Sequence, residues 1–287
     1  MSLARTVAGI SFQNPILLAA GTAGYGRELD GVMRLDRLGG LVTKAVSLAP
    51  RDGNPAPRVA EIPGAMLNSV GLANPGVEHV AAVELPWLAQ HQARLPVLVN
   101  VVGFTIDEYA EVVRRLDSLE AHAGYELNLS CPNTSAGGVE FGANAGTLGE
   151  VISQCRRATR RPLFAKLSPV LTDIPAMARA ARDAGADGVT LVNTMPGTAY
   201  DDGRPRVGQG FGGISGPALL PVGMLAVGRT AAAIPDFPII AVGGVSSVQH
   251  VKDYLAAGAA LVAIGTAALA DPRLPERLVT GLEQLDG

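Results

Sequence analysis

A closed barrel of eight parallel strands, the (β/α)8 or TIM barrel, is the α/β fold this sequence predicts, and three observations carry that prediction. Short aliphatic or β-branched runs recur eight times along 287 residues, at 16–21, 40–47, 97–102, 125–130, 163–168, 188–194, 239–244 and 261–266. Some are apolar without a break, such as Val97-Leu98-Val99 and Ile239-Ile240-Ala241-Val242, which suits strands buried on both faces. Amphipathic stretches of helical period lie between them, the order that sets helices outside a parallel sheet. A doubly wound open sheet is the competing arrangement, but it would leave two of the eight units unplaced or appended.

The elements follow in chain order. Residues 6–14 are expected to form a small hairpin covering the bottom of the barrel. Residues 106–119 carry Tyr109, Val112, Val113 and Leu116 at helical spacing. The stretches 174–186 and 248–259 end in Ala184-Gly185-Ala186 and Ala257-Gly258-Ala259, a glycine helix stop just before the next strand. Most units are compact, and the excess length falls at 48–75 and 195–217, directly after the second and sixth strands. Loops after strands build the functional face of such a barrel, so the extra chain is expected above its C-terminal mouth.

Composition narrows the function classes. Hydrophobic residues make up 48% and charged residues 17%, enough to bury a large core in one domain spanning 1–287. A net charge of -3 argues against a sequence-independent grip on nucleic acid. Arg156, Arg157, Arg160 and Arg161 close a helix, where cations suit the dipole and solvent covers them. The two cysteines, 131 and 155, make neither a disulfide framework nor a zinc pattern, which suggests a reducing, cytoplasmic setting. The N-terminus lacks a signal-peptide core, no apolar run reaches membrane-spanning length, and no metal site is expected.

Polar residues collect at the strand ends. Lys44 and Lys166 stand inside apolar runs, where an unpaired ammonium is costly. A Schiff base, a cation beside an anionic cofactor or substrate, and a structural ion pair are the three explanations. No carboxylate stands at a neighbouring strand end, which weighs against the ion pair. Asn68, Asn100, Asn128 and Asn193 at one mouth suit a flat, amide-bearing ligand such as a pyrimidine, although each is also an ordinary loop residue. Gly243-Gly244 and Gly265-Thr266 end the last two strands, where backbone N–H groups commonly hold a phosphate; tight turns are the other reading. Cys131 follows a strand and precedes the glycine-rich stretch 134–142, so it suits proton exchange better than packing. Cys155 lies among Val151 and Ile152 on a helix and reads as core.

Together these residues resemble class 1 dihydroorotate dehydrogenase, in particular the catalytic subunit of the class 1B type that pairs with an iron–sulfur flavoprotein. The resemblance runs from Asn14-Pro15 to Asp271-Pro272. It is carried by NPAPR (54–58), NSVGL (68–72), NLSCPN (128–133), KLSP (166–169), GISGPA (213–218), VGGV (242–245) and IGTA (264–267). It implies oxidation of dihydroorotate to orotate in pyrimidine (UMP) biosynthesis, with FMN across the C-terminal face. The implied flavin contacts are Ala20, Lys44, Ala45, Asn100, Asn128, Lys166, Val192 and Gly216, with Gly243, Gly244, Gly265 and Thr266 around the phosphate. The implied substrate contacts are Lys44, Asn68, Ser69, Val70, Gly71, Leu72, Asn128, Asn193 and Thr194, and Cys131 maps to the catalytic base. Class 2 enzymes carry serine there and an N-terminal extension.

Relatives often have serine at Ala20 and asparagine at Val170, neither of which carries the chemistry. The resemblance further implies a homodimer, extended to a heterotetramer by a subunit bearing FAD and an iron–sulfur cluster that passes electrons to NAD. A fumarate-linked class 1A-like enzyme and another flavin-barrel pyrimidine reductase, such as tRNA dihydrouridine synthase, are the enzymatic rivals. A lysine-dependent aldolase and a catalytically silent scaffold come from other classes.

Overall fold

The computed structural model describes residues 3–130, 132–133 and 139–286. Eight parallel strands close a ring: β1 (Ile16–Leu18), β2 (Gly40–Val42), β3 (Val97–Val101), β4 (Gly124–Asn128), β5 (Leu163–Leu167), β6 (Gly188–Leu191), β7 (Ile239–Val242) and β8 (Leu261–Ile264). Sequence neighbours are ring neighbours, and β8 closes on β1 with Ala263 opposite Leu17. The predicted TIM barrel is therefore the fold.

Alternation along the strands sorts two cores. Leu17, Val42, Leu98, Phe164, Ile240 and Leu261 point inward and fill the lower barrel. Leu18, Leu41, Val99, Tyr125, Leu163 and Val189 point outward against the helices. The expected hairpin pairs Arg5–Val7 with Ile10–Phe12, and its Val7, Ile10 and Phe12 join the inner core as a plug. Gly188 makes room for that interior: a Cβ there would lie 2.6 Å from the Phe164 ring.

The outer layer holds α1 (Leu85–His91), α2 (Ile106–Leu116), α3 (Ala145–Ala158), α4 (Ile174–Asp183), α5 (Leu220–Ala233), α6 (Val248–Ala256), α7 (Thr266–Ala270) and α8 (Leu274–Asp286). Thr105, Asn144, Asp173 and Ser247 cap α2, α3, α4 and α6 by accepting backbone N–H groups. Gly185 and Gly258 take φ of +105° and +106° just past α4 and α6, the predicted helix stops. The repeating unit breaks once. The β1–β2 crossover holds only the 3-10 turns Arg27–Leu29 and Leu35–Arg37, where Gly21, Gly24, Gly26 and Gly31 all have positive φ and oppose a helix. C-terminal α8 packs against β1.

Two further expectations are corrected. The strands end before the apolar runs do, because the chain leaves the ladder to turn over the mouth. Arg156 and Arg161 are also more than a solvated helix end. Arg156 pairs with Asp187 at 2.9 Å and donates to the Thr159 and Arg161 carbonyls. Arg161 donates to the His122 and Leu119 carbonyls, so both arginines tie loops together below the barrel.

The two long loops do lie after β2 and β6, and they join. Met195–Gly197, Gly212–Ser215, Ala65–Asn68 and Val59–Ile62 form one four-stranded antiparallel sheet, packed on its own cluster of Ala60, Leu67 and Val207. No helix among the described residues is long and apolar enough to cross a membrane.

Candidate active site

Below the mouth the barrel interior turns from apolar to polar. Asn100, Glu126, Lys166 and Thr190 stand on four consecutive strands, β3 to β6, and all are buried. Glu126 Oε1 accepts from Asn100 Nδ2 at 2.7 Å and pairs with Lys166 Nζ at 3.4 Å. Its Oε2 accepts from Thr190 Oγ1 at 2.8 Å. The expectation that no carboxylate neighbours the lysines is thus wrong for Lys166. Glu126 lies two residues before Asn128 on β4 and so shares its inward face.

Lys44 is different. Val42 pairs with Leu98 and Val46 with Val101, so this stretch of chain carries one residue more than its partner strand. Such a bulge re-aims the side chain it contains. Hydrogen bonds from Lys44 N–H to Gly24 O at 2.7 Å and from Thr43 Oγ1 to Lys44 O at 2.9 Å hold it. Among the described residues no carboxylate lies within ion-pair distance of its half-buried ammonium. Ala45 follows, its carbonyl accepting from Tyr25 Oη at 3.1 Å.

The amides meet as well. Asn193 Nδ2 donates to Asn128 Oδ1 at 3.0 Å while Asn193 Oδ1 accepts the Thr194 N–H at 2.8 Å. The Asn128 carbonyl accepts from Tyr109 Oη at 2.6 Å. Among the described residues the side-chain N–H groups of Asn128 have no acceptor, which leaves them for a ligand.

Over the mouth, Asn68 ends a strand of the antiparallel sheet and donates to Gly213 O at 3.0 Å. Ser69 accepts from Asn54 Nδ2 at 3.0 Å, and Val70, Gly71 and Leu72 carry the chain on through a turn in which Gly71 and Leu72 have positive φ. Ser215 of the sheet accepts from Thr266 Oγ1 at 2.8 Å, tying this roof to the end of β8. Cys131 lies outside the described residues. Its flanks are described: Leu129 N–H donates to Lys166 O at 3.3 Å, and Pro132–Asn133 pairs with Val139–Glu140. Cys155 is buried on α3 as expected, and burial pushes its thiol up to about 12.

The turns after β7 and β8 are built for close approach. Gly244 has φ +72°, and a Cβ on it would lie 2.6 Å from Leu220 Cβ. The Gly243 carbonyl is held by Tyr254 Oη at 2.8 Å. The N–H groups of Gly243, Gly244, Gly265 and Thr266 find no acceptor among the described residues.

Compared with known proteins, the sequence matches a family model described as dihydroorotate dehydrogenase over residues 2–285. The chain belongs to the dihydroorotate dehydrogenase family. It is 43% identical over 280 residues to a protein of Pelobacter propionicus named dihydroorotate dehydrogenase B (NAD(+)), catalytic subunit, covering 97% of this chain and 91% of that one. A protein of the same name from Anoxybacillus flavithermus is 43% identical, covering 99% and 90%. A putative dihydroorotate dehydrogenase A (fumarate) from Solibacter usitatus is 45% identical, covering 98% and 92%.

Dihydroorotate dehydrogenases bind FMN, and the residues present fit that group. Four N–H groups at two strand ends, without acceptors among the described residues, suit a phosphate. Ser168 Oγ and Ser130 Oγ are buried without a partner among the described residues, a cost a polar ligand in the mouth would remove. A Cβ added at Gly265 would meet nothing nearer than Ala19 Cβ at 3.8 Å, so space stands open before that turn. Ala20, Val192 and Gly216 border the same rim, at the ends of β1, β6 and the roof sheet. Sequence reasoning missed Glu126, Thr190 and Tyr109. For Glu126 the signal was present, as a lone carboxylate inside an apolar strand.

Proposed function

We propose that this chain oxidises dihydroorotate to orotate, the redox step of pyrimidine synthesis, with FMN lying across the barrel mouth. One observation carries the reading: the ammonium of Lys44, unpaired among the described residues, the paired ammonium of Lys166 and the Asn128–Asn193 amides converge on one mouth in a chain of this family. When bound, FMN supplies the acceptor for the hydride leaving C6 of dihydroorotate. Ala20, Lys44, Ala45, Asn100, Asn128, Lys166, Val192 and Gly216 would hold its ring system. Gly243, Gly244, Gly265 and Thr266 would hold its phosphate on backbone N–H groups.

The chain's own groups do the rest. Lys44 anchors the substrate carboxylate by a charge-assisted hydrogen bond. Asn128, Asn193, Thr194 and Asn68 read the amide edges, fixing the ring in one orientation. Ser69, Val70, Gly71 and Leu72 cover it and exclude water. Cys131 takes the C5 proton, since an ordinary thiol near 8.5 reaches the thiolate without a large shift.

Electrons then leave for NAD through a second subunit carrying FAD and an iron–sulfur cluster. That assembly is a homodimer of this chain extended to a heterotetramer in the cytoplasm. The names of the two dihydroorotate dehydrogenase B relatives support this acceptor. The Solibacter usitatus relative favours a second reading, fumarate reduced by the chain alone.

The visible spectrum of the purified protein tests cofactor and substrate together. Flavin bands bleached anaerobically by dihydroorotate are expected, and a colourless protein after gentle purification overturns the reading. Co-expression with a flavin and iron–sulfur subunit tests the acceptor. Strong turnover of the lone chain with fumarate and none with NAD selects the second reading.

A further inference from the structure

The lower boundary of the mouth is one connected polar unit. Glu126 is 1% exposed and Lys166 6%, so neither charge is relieved by water. A buried carboxylate needs partners on both oxygens. Glu126 has three, from three different strands: Asn100 of β3, Lys166 of β5 and Thr190 of β6. Two of these, Asn100 and Lys166, are residues assigned to the flavin; by ladder register Glu126 stands opposite Asn100 and Thr190 opposite Lys166. Lys44, by contrast, has no such counter-charge among the described residues.

We propose that Glu126 is a positioning residue that holds the Asn100 amide and the Lys166 ammonium beneath the flavin and cancels the lysine's charge there. The inference rests on the FMN reading above. Its consequence is electrostatic. Two-electron reduction makes the flavin ring more negative, so an uncompensated cation beneath it favours the reduced form. With Glu126 in place, Lys166 keeps its hydrogen bonds while the local field stays near neutral. Substrate-facing positive charge is then left to Lys44.

The test is the midpoint potential of FMN bound to the full chain, by anaerobic dye-linked titration, with flavin affinity measured alongside. Glu126→Gln is expected to raise the reduced-over-oxidised affinity ratio about tenfold, a positive shift of about 30 mV for a two-electron couple. Lys166→Met is expected to move the potential negative by a similar amount. The double variant, lacking both charges, should return close to wild type, and Glu126→Asp should keep the wild-type sign. If Glu126→Gln does not fold, comparing Lys166→Met with the double variant decides the same point. A purely structural role would lower thermal stability while leaving the potential of bound flavin unmoved, and that result overturns the proposal. Absence of flavin from the wild-type chain refutes the cofactor reading instead, so the two failures are distinct.

Discussion

Replacing each mouth lysine by methionine should separate two residues that look alike in sequence. Lys166→Met removes the cation from a pair in which both side chains are buried, leaving the Glu126 carboxylate with Asn100 and Thr190 as its donors among the described residues. Breaking a buried pair from one side typically costs about 3–5 kcal/mol. A kcal/mol lowers the melting temperature by roughly 2–4 °C at 150–250 residues, so a drop of about 10 °C is expected for this slightly longer chain. Lys44→Met strands no carboxylate among the described residues, and its change should stay within about 0.5 kcal/mol. On its proposed role, its penalty is expected at the substrate instead. Loss of a charge-assisted hydrogen bond worth about 1.5–3 kcal/mol lowers kcat/KM roughly 10- to 150-fold. Thermal unfolding of both variants without added ligand, paired with anaerobic bleaching by dihydroorotate, measures both effects. Equal melting temperatures for the two variants would refute the assignment of the counter-charge to Lys166.

Three further outcomes follow from the same geometry. Cys131→Ser should lower turnover steeply at neutral pH while orotate binding is kept; unchanged turnover removes the thiol as base. Gly244→Ala forces an L residue to φ +72° against Leu220 and should cost about 1–2 kcal/mol, with weaker retention of FMN, as read by urea unfolding and flavin release on dilution. His122 is buried below the barrel; burial first and the Arg161 charge second lower its pKa to about 4, with Asp117 opposing. The unfolded chain therefore binds a proton near 6.5 that the folded one refuses until about 4. This contribution is intact above about pH 6.5 and is lost as pH falls to 4, amounting to about 3 kcal/mol. His122→Phe, which keeps a ring against Tyr125, should flatten that part of the pH–stability curve, and an unchanged slope would assign it to other groups.

Much of the fold was legible because its periods are local. Eight apolar runs with helical stretches between them admit few arrangements, and Gly185 and Gly258 ended helices where they stood in sequence. The missing first helix was less visible, because the apolar positions of residues 22–39 say little about glycines that must take positive φ. The long loops were correctly set above the mouth, yet nothing local foretold that 48–75 and 195–217 would pair into one sheet. That pairing is a contact between segments well over a hundred residues apart, and strand register at such a distance is set by the barrel beneath it.

By itself the sequence determined the barrel, the gathering of lysines, asparagines and glycine turns at strand ends, and the family to which that order belongs. Only the tertiary structure decided what each lysine is. Lys44 and Lys166 are both single cations in apolar runs of sequence, and their difference lies in what stands beside each in the closed barrel. Glu126 meets Lys166 because closure of the ring brings β4 beside β5 in a register that sets Asn128 opposite Lys166 and leaves Glu126 one step below on the same inward face. Charge compensation in a barrel is a property of neighbouring strands, and neighbours across a ladder are written in register rather than in chain order.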